Sequence, residues 1–121
     1  MQRVVEPELM DDQAQAEAYA GADFEEAHAR IVQAFDTYFP GVELEGAILD
    51  LGCGPGDITF RFAARFQNSS VTGVDGAGAM ISLANERRAR ETLLQDRVTF
   101  IEGYIPGAPI PRGPYTAIVS H

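Results

Sequence analysis

Hydrophobic positions change period several times along the chain, and each change marks an element. Residues 1–10 carry little pattern, and Pro7 argues against an early helix. Asp12 with Gln15 forms a capping box ahead of the alanine-rich residues 13–20, which predict a short helix closed by Gly21. A second box, Asp23 with Glu26, opens a stretch in which Phe24, Ala27, Ile31, Ala34, Phe35 and Tyr38 recur at steps of three and four. That spacing predicts an amphipathic helix ended by Pro40-Gly41, with His28 on its surface. Residues 47–51 are apolar on both faces, as in a central parallel strand. Residues 57–66 return to helical spacing, with Asp57 as cap and Phe60, Phe62 and Phe66 as bulk to cover a sheet.

After a turn at Gln67-Asn68-Ser69, residues 70–75 read as a second strand ending in Asp75. Gly76-Ala77-Gly78 leads into a helix over about residues 79–91, whose core face is Met80, Leu83, Ala84 and Ile81. Glu86, Arg87, Arg88, Arg90 and Glu91 are mixed in sign and read as a solvated face. Residues 98–102 form a third strand. Residues 104–114, with prolines at 106, 109, 111 and 114, form an extended surface loop, and residues 115–120 a fourth strand. Two helices followed by alternating strands and helices predict an α/β fold with a parallel sheet. Residues 1–45 form a helical segment and residues 46–121 the sheet domain. The ligand crevice of such a sheet lies at the carboxyl ends of its strands, where Asp50, Asp75, Gly103 and Ser120 all fall.

The chemistry concentrates in Gly52-Cys53-Gly54-Pro55-Gly56, between the first strand and its helix. A strand, a glycine turn and a helix N-terminus form a nucleotide-cradling device. The spacing is Gly-x-Gly-x-Gly, not the dinucleotide Gly-x-Gly-x-x-Gly, which disfavours an NAD-dependent oxidoreductase. Asp50 precedes the first glycine, Asp57 follows the last, and the chain has no lysine, which excludes a P-loop. A cationic or zwitterionic nucleoside suits these charges better than a polyphosphate. Asp75 stands about where dinucleotide folds place a ribose-binding acid. It binds the ribose hydroxyls or serves as a turn aspartate before Gly76.

At 121 residues the chain makes one modest domain. The net charge of −9 belongs to residues 1–45, where eleven acids face Arg3 and Arg30; beyond them acids and arginines cancel. That excess argues against a nucleic acid or an anionic membrane as partner. Cys53 is the sole cysteine, so neither an intrachain disulfide nor a cysteine-based metal site is available, and a reducing compartment is expected. Without an apolar leader or spanning stretch, the cytoplasm is the simplest location.

An apolar strand, an acid, Gly-x-Gly-x-Gly and an acid ending the second strand resemble the class I S-adenosylmethionine-dependent methyltransferases. The resemblance is close over residues 48–84 and loose over 12–121. It implies a Rossmann-like sheet, S-adenosylmethionine as cofactor, and in-line transfer of a methyl group to an O, N, C or S atom of a small molecule. It places the sulfonium among Asp50, the loop (Gly52, Cys53, Gly54, Gly56) and Asp75-Gly76. Met80 packs on the adenine or is an ordinary core methionine. After Gly103, Tyr104 replaces the family's usual aspartate and either stacks on the base or covers the loop. Ser120 and His121 stand where a loop near the methyl group begins. The N-terminal helices cover the cofactor, with Tyr19 as a lid aromatic or packed beneath its helix. No residue stands out as an acid or base. Ala77 and Gly78 replace the family's serine and its neighbour, removing a helix cap, a loss of about 1 kcal/mol; Thr116 replaces an aspartate of the fourth motif.

The family's seven-stranded sheet has the order 3-2-1-4-5-7-6, of which this chain supplies 3-2-1-4. A fragment of a longer protein is therefore expected. If 121 residues is the full length, the exposed fourth strand is expected to self-pair through residues 115–119. The alternative to an enzyme is a non-catalytic nucleoside-binding module that docks through that strand.

Overall fold

The computed structural model describes residues 14, 25–104, 110 and 113–120. Their elements run α1 (Glu25–Tyr38), β1 (Gly46–Leu51), α2 (Asp57–Arg65), β2 (Ser69–Asp75), α3 (Gly78–Arg90), a 3-10 turn (Gln95–Arg97), β3 (Val98–Glu102) and β4 (Ala117–Ser120). The four strands form one parallel sheet in the order β3-β2-β1-β4. Expected strand starts shift slightly: β2 begins one residue earlier, at Ser69, and β4 two residues later, at Ala117. Of the predicted helix over residues 13–20 only Ala14 is among the described residues, and Tyr19 and His121 lie outside them.

The register explains the burial. Ile48 pairs with Val71 and Val71 with Val98, giving an apolar row across three strands, each at most 1% exposed. This row meets Ile58, Phe60, Phe62, Ala63 and Phe66 of α2 and its exit. Leu49 and Val74 alternate to the opposite face and are buried as well, which is why β1 reads as apolar on both sides. From α1, Ile31, Val32 and Phe35 pack on the core, and Phe35 meets Phe66 edge-on at 5.3 Å between centroids. Ala27, Ala34 and Tyr38 of the expected stripe are exposed, Tyr38 at 77%, because the face that α1 turns inward carries His28, Ile31, Val32 and Phe35. β4 is an edge of the described sheet, and its Ile118 is 61% exposed.

Three expectations about polar residues are corrected. Asp57 does not cap α2: the cap position is Gly56, in the left-handed region, and no side chain bonds the helix start. His28 is not a free surface residue, since its Nδ1 lies 2.7 Å from Asp57 Oδ2. The arginines of α3 are not simply solvated. Arg87 lies 4.6 Å over the Phe60 ring, and Arg88 Nε donates to the Val98 carbonyl at 2.6 Å. Long cationic side chains lay their stems along apolar surface, and here the charged heads find fixed partners as well.

Candidate functional site

Between β1 and α2 the glycine loop crosses the carboxyl edge of the sheet. Its backbone is pinned to β2: the N–H groups of Gly52 and Cys53 both donate to the Val74 carbonyl, at 2.8 and 3.0 Å. Gly56 has φ 96°, and a Cβ there would stand 2.7 Å from Phe100 Cζ. Glycine alone makes this turn and leaves room for the ring. At Gly52, no described atom lies within 4 Å of a would-be Cβ. The loop thus leans on the core at one end, and at the other no described residue crowds Gly52.

Asp75 ends β2 and organises the crevice. Its Oδ2 accepts from Gly54 N–H at 2.8 Å, its Oδ1 from Ala77 N–H at 2.9 Å, and its own carbonyl from Gly103 N–H at 2.9 Å. One residue therefore joins the glycine loop, the start of α3 and the end of β3. A carboxylate offers about four acceptor sites, so these two side-chain bonds leave capacity for further donors. The absent serine cap before α3 is partly replaced. The Ala77 cap position has no side-chain bond, but Asp75 holds its N–H. Glu102 also brings its carboxylate oxygens to 3.0 and 3.1 Å from where a Cβ of Gly78 would be, a favourable charge at a helix N-terminus.

Asp50 is 1% exposed and accepts from Thr59 Oγ1 at 2.6 Å. It contributes negative charge from within the structure. Cys53 is buried too; burial pushes its thiol well above the ordinary range, and the Asp50 and Asp75 charges push the same way. It offers the loop its backbone, not a nucleophile. Tyr104 lays its ring against Gly76, where a Cβ would stand 2.7 Å from Cε1, yet remains 58% exposed. Met80 is 4% exposed and packs with Ala77, Ala79 and Leu83. Ser120 pairs in register with Leu51 and is exposed beside the loop's first residue. Asp50, Gly52, Cys53, Gly54, Gly56, Asp75, Gly76, Met80, Gly103, Tyr104 and Ser120 thus lie at or just beneath the carboxyl edge.

Two features escape a reading of the sequence. Thr59 holds Asp50, and its signal was a hydroxyl between the apolar Ile58 and Phe60, both buried. The second is a cluster on Asp57. His28 and Arg61 contact its Oδ2, both at 2.7 Å, and Arg87 its Oδ1 at 3.0 Å. Burial pushes the Asp57 pKa up, but hydrogen bonds from Arg61, Arg87 and His28 outweigh it and hold it at about 2, against 3.8 ordinarily. A second concavity of about 430 Å³, lined by Glu43, Leu44, Glu45, Arg65, Gln67 and Asn68, lies at the amino ends of the strands. Its one guanidinium is already committed to Asp36 and Glu43, at 2.9 Å each.

Strand order, parallel register and an open glycine loop together define a Rossmann-like α/β domain. Residues 48–121 match the family model described as a methyltransferase domain. A malonyl-[acyl-carrier protein] O-methyltransferase of Priestia megaterium is 34% identical over 105 residues, 87% of this chain and 35% of the relative. A trans-aconitate 2-methyltransferase of Paracidovorax citrulli is 50% identical over 40 residues, 33% of this chain and 15% of the relative. Among solved structures, a Methanococcus maripaludis protein described as an S-adenosyl-L-methionine-dependent methyltransferase shares the fold over 99% of this chain and 53% of its own, with a TM-score of 0.78 at 23% identity. A SAM-dependent methyltransferase from Geobacter sulfurreducens, in complex with S-adenosyl-L-homocysteine, gives a TM-score of 0.51 at 30% identity over 65% of this chain and 29% of its own. The chain belongs to the class I S-adenosylmethionine-dependent methyltransferases. It spans about a third of the length of the Priestia relative. Among the described residues, no helix is long and apolar enough to cross a membrane.

Proposed function

We propose that the carboxyl edge of this sheet binds S-adenosylmethionine and serves methyl transfer to a small-molecule acceptor. The observation that carries this reading is Asp75: two backbone N–H groups aim its carboxylate, and acceptor capacity remains beside an open glycine loop. The donor set fits the cofactor. Asp75 would take the ribose hydroxyls. Gly52 and Gly54 would let the backbone approach closely, and Asp50 and Asp75 give the crevice a negative field suited to a sulfonium and an ammonium. Tyr104 and Met80 would border the base, and Ser120 the acceptor side. Tyr19, outside the described residues, would be a lid aromatic. When bound, S-adenosylmethionine supplies a methyl group on a cationic sulfur.

The residues of this chain would bind, orient and exclude water, and proximity would carry the rate. No side chain here is assigned as acid or base. The relatives' names point to carboxylates, a malonyl group on acyl-carrier protein and trans-aconitate, so free and carrier-bound carboxylates are the first acceptors to test.

Calorimetric titration of the full chain with S-adenosylhomocysteine, with NAD as control, tests the pocket. S-adenosylhomocysteine should bind and NAD should not. Asp75→Ala should weaken binding by about tenfold or more, since it removes acceptors to two hydroxyls. Binding of NAD in preference, or undiminished affinity in the variant, overturns the assignment.

A further inference from the structure

Helix α1 is fixed to the molecule in two ways. Its second half is packed: Phe35 meets Phe62 and Phe66 at 6.4 and 5.3 Å between centroids, and Asp36 pairs with Arg65 at 2.9 Å. Its first half carries His28, whose Nδ1 contacts Asp57 Oδ2 at 2.7 Å. This contact is sheltered, the two side chains being 17% and 25% exposed. With Asp57 ionised, Nδ1 carries the proton and donates.

Asp57 is also the first residue after the glycine loop. It is held by Arg61 from its own helix and by Arg87 from α3, and Arg87 in turn contacts Glu91 at 3.4 Å. Arg87 lies over Phe60, and Phe60 and Phe100 close around Gly56. No side chain caps α2 at Gly56, so the loop's exit is oriented by whatever holds Asp57. Besides the bonds of Gly52 and Cys53 to the Val74 carbonyl, side-chain contacts hold the loop from two sides. Asp75 fixes Gly54, and the Asp57 cluster fixes the residue next to Gly56. A loop of three glycines with positive φ has little preference of its own, which makes these outside contacts decisive.

We propose that His28 and Asp57 form a positioning pair that couples docking of the first half of α1 to the conformation and ligand affinity of the glycine loop. The ligand half of this statement rests on the loop's reading as a cofactor site. Without His28, Asp57 is left to Arg61 and Arg87, and the loop exit loses its tie to α1. Coupling is reciprocal: whatever orders the loop should order the first half of α1, by the same factor.

Hydrogen exchange on the full chain tests this, with His28→Ala and His28→Asn as variants. In the ligand-free arm, His28→Ala should speed exchange of the Gly54 and Gly56 amides several-fold, with those of β3 unchanged. His28→Asn, which keeps a short amide donor, should restore part of the protection. In the ligand arm, S-adenosylhomocysteine should raise protection over residues 25–31 of the unmodified chain. His28→Ala should abolish that gain and bind about three- to tenfold more weakly. Unchanged loop amides in His28→Ala, or α1 protection that ignores the ligand, overturns the coupling. Failure of the unmodified chain to bind S-adenosylhomocysteine overturns the cofactor reading instead, and the ligand-free arm still decides the coupling.

Discussion

At the amino ends of the strands, side-chain donors fill backbone carbonyls; at the carboxyl ends, backbone N–H groups fill a carboxylate. Arg97 donates to the carbonyls of Ser69, Phe66 and Ala63 at 2.8, 3.3 and 3.0 Å, and Ser69 Oγ adds a bond to Phe66 O at 2.6 Å. Arg65 ties α2 to Asp36 and Glu43, over the Phe35, Phe62 and Phe66 cluster. This end is braced by bulky side chains and ion pairs, and the guanidinium that borders its concavity is already held by two carboxylates. Across the sheet, Gly54 and Ala77 converge on Asp75, whose side chain keeps further acceptor capacity close to Gly52, which no described residue crowds. Stability drawn from one end allows the other to remain open without collapse. That division suits the carboxyl edge to the proposed site and the amino edge to a foundation.

The largest effect expected from breaking this division is at the foundation. Phe66 is 1% exposed, and Phe66→Ala should cost about 3–5 kcal/mol, read by urea unfolding. Under conditions where the variant stays folded, its affinity for S-adenosylhomocysteine should remain within about twofold, because no loop contact runs through this ring. Affinity falling in step with stability would show that the two ends are not separable. A smaller loss of stability with a larger loss of binding is expected at Gly56→Ala. The new Cβ meets Phe100 at 2.7 Å at a φ of 96°, so overpacking and left-handed strain together should cost about 2–3 kcal/mol. S-adenosylhomocysteine affinity should drop by about tenfold or more, as the loop shifts to relieve the clash. Retained affinity would mean that the loop tolerates displacement and that its geometry is not what the ligand reads.

How much of this was legible in the sequence follows from the range of each interaction. Strands β1 to β3, the phenylalanines of α2 and the acids at strand ends depend on period and turn chemistry, which neighbouring residues declare. The crevice was legible for the same reason, since a parallel sheet places Asp50, Asp75, Gly103 and Ser120 at one edge. Asp57 was not: an acid opening a helix looks like a cap, and its real partners, His28 and Arg87, are 29 and 30 residues away. Gly56 already takes the cap position, which frees the Asp57 side chain for those contacts. The arginines of α3 failed to declare themselves in the same way, because a charged helix face looks alike whether its heads meet water or a buried carbonyl.

Asp57 also yields the smallest and most specific effect, a pH dependence. Its carboxylate faces His28 from α1, Arg61 from α2 and Arg87 from α3, and its folded pKa of about 2 lies below the ordinary 3.8. A depressed pKa means that the fold favours the charged form. The contribution is therefore fully present above about pH 4 and is lost as pH falls toward 2. Partial exposure screens the pairs, so the amount should be about 1 kcal/mol. Many carboxylates titrate in that window, and the comparison with Asp57→Asn isolates this one. The unmodified chain should be the more stable near neutral pH, and the gap should close between pH 4 and 2, followed by thermal unfolding. Because the cluster adjoins the site end, S-adenosylhomocysteine affinity should weaken in Asp57→Asn by more than the stability change accounts for. A constant gap across that window would assign the stability to packing of α1 alone, and the Asp57 cluster would then belong to the foundation and not to the site.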